Sequence, residues 1–161
     1  MGNNWKIADT LTKVFAEEAP DGQGSIRLST LHRETVSCVI AYFGVADWGR
    51  YWKVSVKAPE KIETRLRRVE LVPSAYPCHK EQDDNYLRIV PGMYQDLLRD
   101  LDTEDDGADK KYLTKEVPGQ WRSLWLDVTV DAELAGGDYA IVIETETEDG
   151  EKETLKADLH V

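Results

Sequence analysis

The chain has 161 residues, a hydrophobic fraction of 41% and five Trp, the composition of a globular domain rather than a disordered one. A chain of this length forms a full core without metal or disulfide support. Thirty-one acids against 20 bases give a net charge of −11, which argues against a nucleic-acid backbone or an anionic membrane surface as partner. No apolar run approaches the ~18 residues of a membrane span. The N-terminus, MGNNWKIADT, lacks a charged region followed by an apolar one, so the chain is expected to be cytoplasmic as written.

Thr12 to Phe15 is expected to be an edge strand, and Pro20-Asp21-Gly22 a turn. Ser25 to Leu31 alternates Ile26 and Leu28 with polar residues, a strand with one wet face. Thr35 to Phe43 is apolar at both parities, which predicts a central strand covered on both sides. Tyr51 to Ala58 alternates again, with Trp52, Val54 and Val56 on one face, and Pro59 stops it. Ile62 to Val72 changes phase between Leu66 and Val69, which a β-bulge near Arg67-Arg68 would reconcile.

Asp84 to Leu98 (DNYLRIVPGMYQDLL) matches no strand pattern. Pro91-Gly92 is a turn, and Met93, Tyr94, Leu97, Leu98 and Leu101 recur at spacings of three and four, predicting a short amphipathic helix. Asp102 to Asp109 reads as an acidic loop. Trp121 to Val130 is the strongest strand: Leu124, Leu126, Val128 and Val130 share one face, Trp121, Ser123 and Trp125 the other. A second pair follows, Tyr139 to Glu144 and Leu155 to Val161, joined by the hairpin signal Asp149-Gly150. The pattern runs to Val161, which reads as a boundary between domains. The expectation is a single all-β domain over residues 1–161, an antiparallel β-sandwich of about eight strands with one short helix in a long connection.

No residue set reads as a complete active site. The acidic loop Asp102 to Gly107 resembles the first half of a calcium loop, but Leu113 stands where a bidentate carboxylate is needed, so a solvated loop is favoured. His32, His79 and His160 are too dispersed for metal-ligand spacing. No metal or cofactor is expected, and Cys38 and Cys78 are expected to be free thiols. Asp83-Asp84 leads into Tyr86 and Arg88, yet a polar turn is the simpler reading of that acid pair. Trp121 and Trp125 share a strand face and offer either a sugar-stacking surface or a packing layer, of which packing is favoured. Trp48, Gly49, Tyr51 and Trp52 form a second aromatic cluster, read in the same way.

Several segments in order, Leu71-Val72-Pro73, Asp84-Asn85-Tyr86-Leu87, Pro91 to Leu98, Gln120 to Val128 and Ala135 to Tyr139, resemble the N-terminal β-sandwich domain of glycoside hydrolase family 123. The family pattern includes a PGxYPDLL run, from which this chain departs with Gln95 at the second Pro, and a WRSLWV-D-V strand. The resemblance implies a modular enzyme. In that family a TIM-type barrel follows the sandwich and hydrolyses β-linked N-acetylgalactosamine, using a neighbouring Asp-Glu pair. That pair has no counterpart here, so no catalytic residue is carried over and the chain alone is expected to be inactive.

Its implied role is to pack against a C-terminal catalytic barrel of the same polypeptide and edge its cleft. The expected interdomain or glycan contacts are Asp84, Tyr86, Arg88 and Tyr94, then Trp121, Arg122 and Trp125. A loop set on a rigid sheet is where function concentrates. The alternative is an independent carbohydrate-binding module that uses exposed Trp121 or Trp125.

Overall fold

A computed structural model describes residues 4–45, 50–75, 87–105 and 110–161. Among them are eleven strands and no helix: β1 (Trp5–Ala8), β2 (Ser25–Ser29), β3 (Thr35–Phe43), β4 (Tyr51–Lys57), β5 (Ile62–Ser74), β6 (Gly92–Asp100), β7 (Thr103–Asp105), β8 (Lys110–Lys115), β9 (Trp121–Val130), β10 (Asp138–Thr147) and β11 (Lys152–His160). They form a β-sandwich. One sheet has the order β1-β3-β9-β5-β6, the other β2-β11-β10-β4-β8-β7. Every pairing is antiparallel except β11 with β2.

Strand parity builds the core. Cys38 and Ile40 on β3, Leu66 on β5, and Leu124, Leu126 and Val128 on β9 point inward from the five-stranded sheet. They meet Trp52 and Val54 of β4, Tyr112 of β8, Ile141 and Ile143 of β10, and Leu155 and Leu159 of β11. Trp5 stacks on Tyr42 with ring centroids 4.9 Å apart and meets Trp52 edge-on at 5.2 Å. β3 is buried on both sides, as its double apolar parity requires: Val39 and Ala41 face outward into a second, smaller cluster with Val14 and Trp121.

The expected helix at Met93–Leu101 is instead the edge strand β6. Its register explains the misleading spacing. Glu70 lies opposite Leu97, but Leu71 lies opposite Gln95, so Asp96 is an extra residue on β6. A bulge switches the parity of everything beyond it. Leu98, Gln95 and Met93 therefore fall opposite Val69, Leu71 and Pro73, while Leu97 and Tyr94 fall opposite Glu70 and Val72. A two-residue period broken once in this way produces intervals of three and four.

The bulge expected at Arg67-Arg68 is accordingly displaced. β5 runs in unbroken register with β9 from Ile62 to Val69, and the irregularity lies between Glu70 and Leu71 with the extra residue on β6. The phase change in β5 has another cause. Ile62 and Leu66 are buried in the main core, whereas Val69 is buried on the opposite, outward face.

The first edge strand is also displaced, from Thr12–Phe15 to Trp5–Ala8. Asp9 diverts the chain: its Oδ1 accepts from the Leu11 N–H at 2.8 Å and the Thr12 N–H at 3.0 Å, a turn of the kind Asp favours. The acidic stretch begins as β7, which pairs with β8. The rest of the proposed calcium loop, Asp106 and Gly107, lies outside the described residues, as do Trp48, Gly49, Cys78, His79 and Asp83. Among the described residues no helix is long and apolar enough to cross a membrane, and no group of three or more His, Cys, Asp or Glu is arranged to hold a metal ion.

Candidate functional site

The bulged strand β6 ends the five-stranded sheet, and the chain entering it carries residues a core would normally claim. Leu87, Ile89, Val90, Met93 and Leu97 are 49–67% exposed. Scattered surface apolar residues need no explanation, but a contiguous run marks an interaction surface. Five fall within eleven positions, Leu87 to Leu97, and the bulge sets Met93 and Leu97 on opposite faces of the edge strand, so the exposed residues wrap that edge.

Beside this run lies a groove of about 560 Å³, walled by Lys13, Val14 and Phe15 on one side and by Val72, Pro73, Leu87, Arg88 and Tyr94 on the others. Phe15 and Tyr94 meet edge to face, with centroids 6.3 Å apart at 84°, an arrangement aromatic quadrupoles favour. The Arg88 guanidinium carbon sits 4.1 Å from the Phe15 ring centroid, within cation–π range. Arg88 also pairs with Glu18 and lies 3.6 Å from Glu17, while its buried Nε has no hydrogen-bond partner. The Tyr94 hydroxyl donates to the Val90 carbonyl, which pins the entry to β6.

Gln95, the position where the chain departs from the family 123 pattern, ties the edge strand inward. Its Nε2 donates to the Trp121 carbonyl at 3.3 Å, and its Oε1 accepts from the Ser123 hydroxyl. A Pro here would make neither bond.

The expected contact residues are thus only partly brought together. Arg88 and Tyr94 share the groove. Asp84 and Tyr86 lie outside the described residues. Trp121 is 8% exposed, packed by Phe43 at 5.3 Å and by the Lys6 Nζ 5.4 Å from its ring. Trp125 is half-buried, and its Nε1 donates to Asp127 Oδ1 at 2.8 Å. What covers the outward face is the Val14 segment rather than a helix. An open aromatic platform, which the binding-module alternative calls for, is therefore limited to the uncovered part of Trp125. Arg122 points the other way, into the gap between the sheets, as its parity with Leu124 and Leu126 dictates.

Phe15, Glu17 and Glu18 had no sequence signal linking them to Arg88, because 70 residues separate Glu18 from Arg88. Asp96 is the one carboxylate lining the groove among the described residues. Glycoside hydrolysis generally needs two carboxyls converging on one bond, ~5–10 Å apart. The groove is chemically suited to contact: apolar C–H surface, an aromatic pair and two cations, Lys13 and Arg88.

No family model matches this chain, and no curated protein does. Solved structures do. The chain is similar in fold to part of a family 123 glycoside hydrolase from Clostridium perfringens, described in connection with glycolipid glycan hydrolysis, at a TM-score of 0.62 and 9% identity. The match covers 98% of this chain and 27% of the hydrolase chain, so this chain spans about a quarter of that protein. Weaker likenesses include the N-terminal domain of PorA (TM-score 0.46, 9% identity, 97% of this chain and 96% of that one) and the Bacillus cereus major pilin subunit BcpA (0.44, 8%, 97% and 40%). At these identities the likeness establishes the β-sandwich fold alone.

Proposed function

We propose that the chain is the non-catalytic β-sandwich of a longer, family 123-like glycoside hydrolase acting on glycans that contain N-acetylgalactosamine. The observation that carries this reading is the superposition of nearly the whole chain on one portion of the Clostridium perfringens hydrolase. The motif resemblance from Leu71 to Tyr139 supports it. In this reading the exposed apolar run Leu87–Leu97 packs against a catalytic barrel of the same polypeptide, and the Arg88–Phe15–Tyr94 groove edges its cleft. Asp84 and Tyr86 precede that run directly and belong to the same contact.

Assaying the 161-residue chain on an aryl N-acetylgalactosaminide tests the non-catalytic part: no turnover is expected, and saturable hydrolysis would refute it. The groove favours one second reading, a direct glycan contact made by the chain alone. Calorimetric titration with N-acetylgalactosamine separates the two: saturable heat abolished by Tyr94→Ala supports the binding module, and silence supports the accessory domain.

A further inference from the structure

The inward face of the five-stranded sheet is apolar until its last rows, where it becomes charged. Tyr42 lies opposite Arg122, one row beyond Ile40 and Leu124. Arg68 lies opposite Leu124, and Glu70 follows it at the same parity. These inward positions would ordinarily be apolar, and a break in the local pattern without a packing reason marks a functional site. Facing them, the chain leaving β8 contributes Lys115, Glu116, Val117 and Pro118. Between the two lies a cavity of about 320 Å³, at the small end of the ligand-pocket range.

Most of these polar groups have partners. The Tyr42 hydroxyl and Thr114 Oγ1 are 2.7 Å apart. Burial pushes the Tyr42 phenol up, and the Thr114 hydrogen bond and the nearby Arg122 and Arg68 only partly offset this. Arg68 Nε donates to Glu70 Oε1 at 2.8 Å. Glu116 is buried and accepts from Trp52 Nε1 at 2.5 Å. Arg122 differs: it is half-buried, its buried Nε has no hydrogen-bond partner, and it forms no ion pair among the described residues. A guanidinium so placed presents a planar fork suited to a carboxylate.

We propose that this cavity between the sheets binds a small hydroxy-carboxylate, a monoanionic acidic sugar of the hexuronate class, with Arg122 receiving the carboxylate. The unpaired charge selects the ligand. Arg68 is paired with Glu70 and the Lys115 Nζ lies over the Tyr51 ring, so Arg122 is the one cation facing the cavity without an ion pair among the described residues, in a chain that is otherwise strongly acidic. A monoanion neutralises that charge, whereas a phosphate dianion meets repulsion from both carboxylates. Glu70 and Glu116 then serve as acceptors for sugar hydroxyls. The cavity volume fits one sugar ring. The site is separate from the groove beside β6 and does not depend on the accessory-domain reading.

The test titrates the 161-residue chain with sodium glucuronate, glucose and inorganic phosphate, following heat and the Arg122 Nε–H resonance. Glucuronate is expected to saturate and to shift that resonance, with glucose and phosphate each at least tenfold weaker. Arg122→Gln should weaken glucuronate at least tenfold, and Arg122→Lys several-fold, since lysine keeps the charge and loses the fork. Thermal midpoints of both variants report whether they fold, and the wild-type resonance keeps the test decisive if one does not. An unmoved Arg122 resonance, equal affinity for phosphate, or undiminished binding by a folded Arg122→Gln would overturn the proposal.

Discussion

Arg67 and Asp127 face each other on the outward side of the five-stranded sheet, Nη2 2.5 Å from Oδ2, with side-chain exposures of 21% and 17%. Asp127 Oδ1 also accepts from Ser37 Oγ at 2.7 Å and Trp125 Nε1 at 2.8 Å. One carboxylate thus joins β3, β5 and β9. Removing it strands three donors at once, and an unsatisfied buried group costs more than its bond contributes. Asp127→Ala should therefore lower stability by about 2–4 kcal/mol, and Ser37→Ala by about 1 kcal/mol. Urea midpoints at unchanged slope report both; a loss below about 0.5 kcal/mol for Asp127→Ala would show that water replaces the network.

Gly44 is required by space. A Cβ there would lie 2.2 Å from the Val117 carbonyl oxygen and 2.7 Å from its carbon. Both neighbours are backbone, held by the Gly119 N–H to Gly44 carbonyl bond of 2.8 Å. Gly44→Ala should cost about 1–3 kcal/mol, read from the thermal midpoint; an unchanged midpoint would mean the Val117 segment moves freely.

Cys38 is buried in the core as a free thiol. Burial, and then the charge of Asp127, pushes its pKa from 9.0 to about 12. Reactivity belongs to the thiolate, so Cys38 should resist iodoacetamide in native protein at pH 8 and react once urea unfolds the chain. The linkage has a definite sign. Below pH 9 the thiol is protonated in both states, and its contribution is fully present. As pH rises from 9 towards 12 the unfolded chain releases the proton first, and that contribution is lost. Peptide mapping distinguishes Cys38 from Cys78, and native labelling of Cys38 would contradict the burial.

Arg65 and Asp100 form an exposed pair at 2.8 Å between β5 and β6. The Arg65 hydrogen bond, then its charge, holds the Asp100 carboxyl below its ordinary 3.8. A depressed folded value means that the pair's contribution is present above 3.8 and lost as pH falls through the folded value. An NMR titration should place the Asp100 midpoint below 3.8 and move it up in Arg65→Gln. Identical midpoints in the two proteins would show that solvent screens the pair completely.

The sheet was legible in sequence where burial fixed both faces. β9 and β3 carry alternating or doubly apolar patterns that only a central strand satisfies. Edges were less legible, because a strand half in water has a weak pattern. The Asp96 bulge then gave β6 a helical spacing, and the Asp9 turn hid the displacement of the first strand. β8 was obscured by acidic neighbours, although Tyr112 and Thr114 alternate inward. The groove was illegible for another reason: Phe15 and Arg88 meet only through the fold. Arg122 is legible by phase: an arginine in step with Leu124 and Leu126 announces a charge aimed between the sheets.

The accessory-domain account stands or falls on the apolar run beside β6. Met93 and Leu97 are about half exposed, so replacing both with Lys should change the chain's own stability by no more than about 0.5 kcal/mol each. The decisive measurement separately expresses the catalytic barrel, roughly 250 residues, that the proposal places in the same polypeptide, and titrates it with this chain by calorimetry. Saturable association that the Met93→Lys/Leu97→Lys chain loses is the expected result; a barrel that fails to associate, or that binds the double variant equally well, would contradict the proposal.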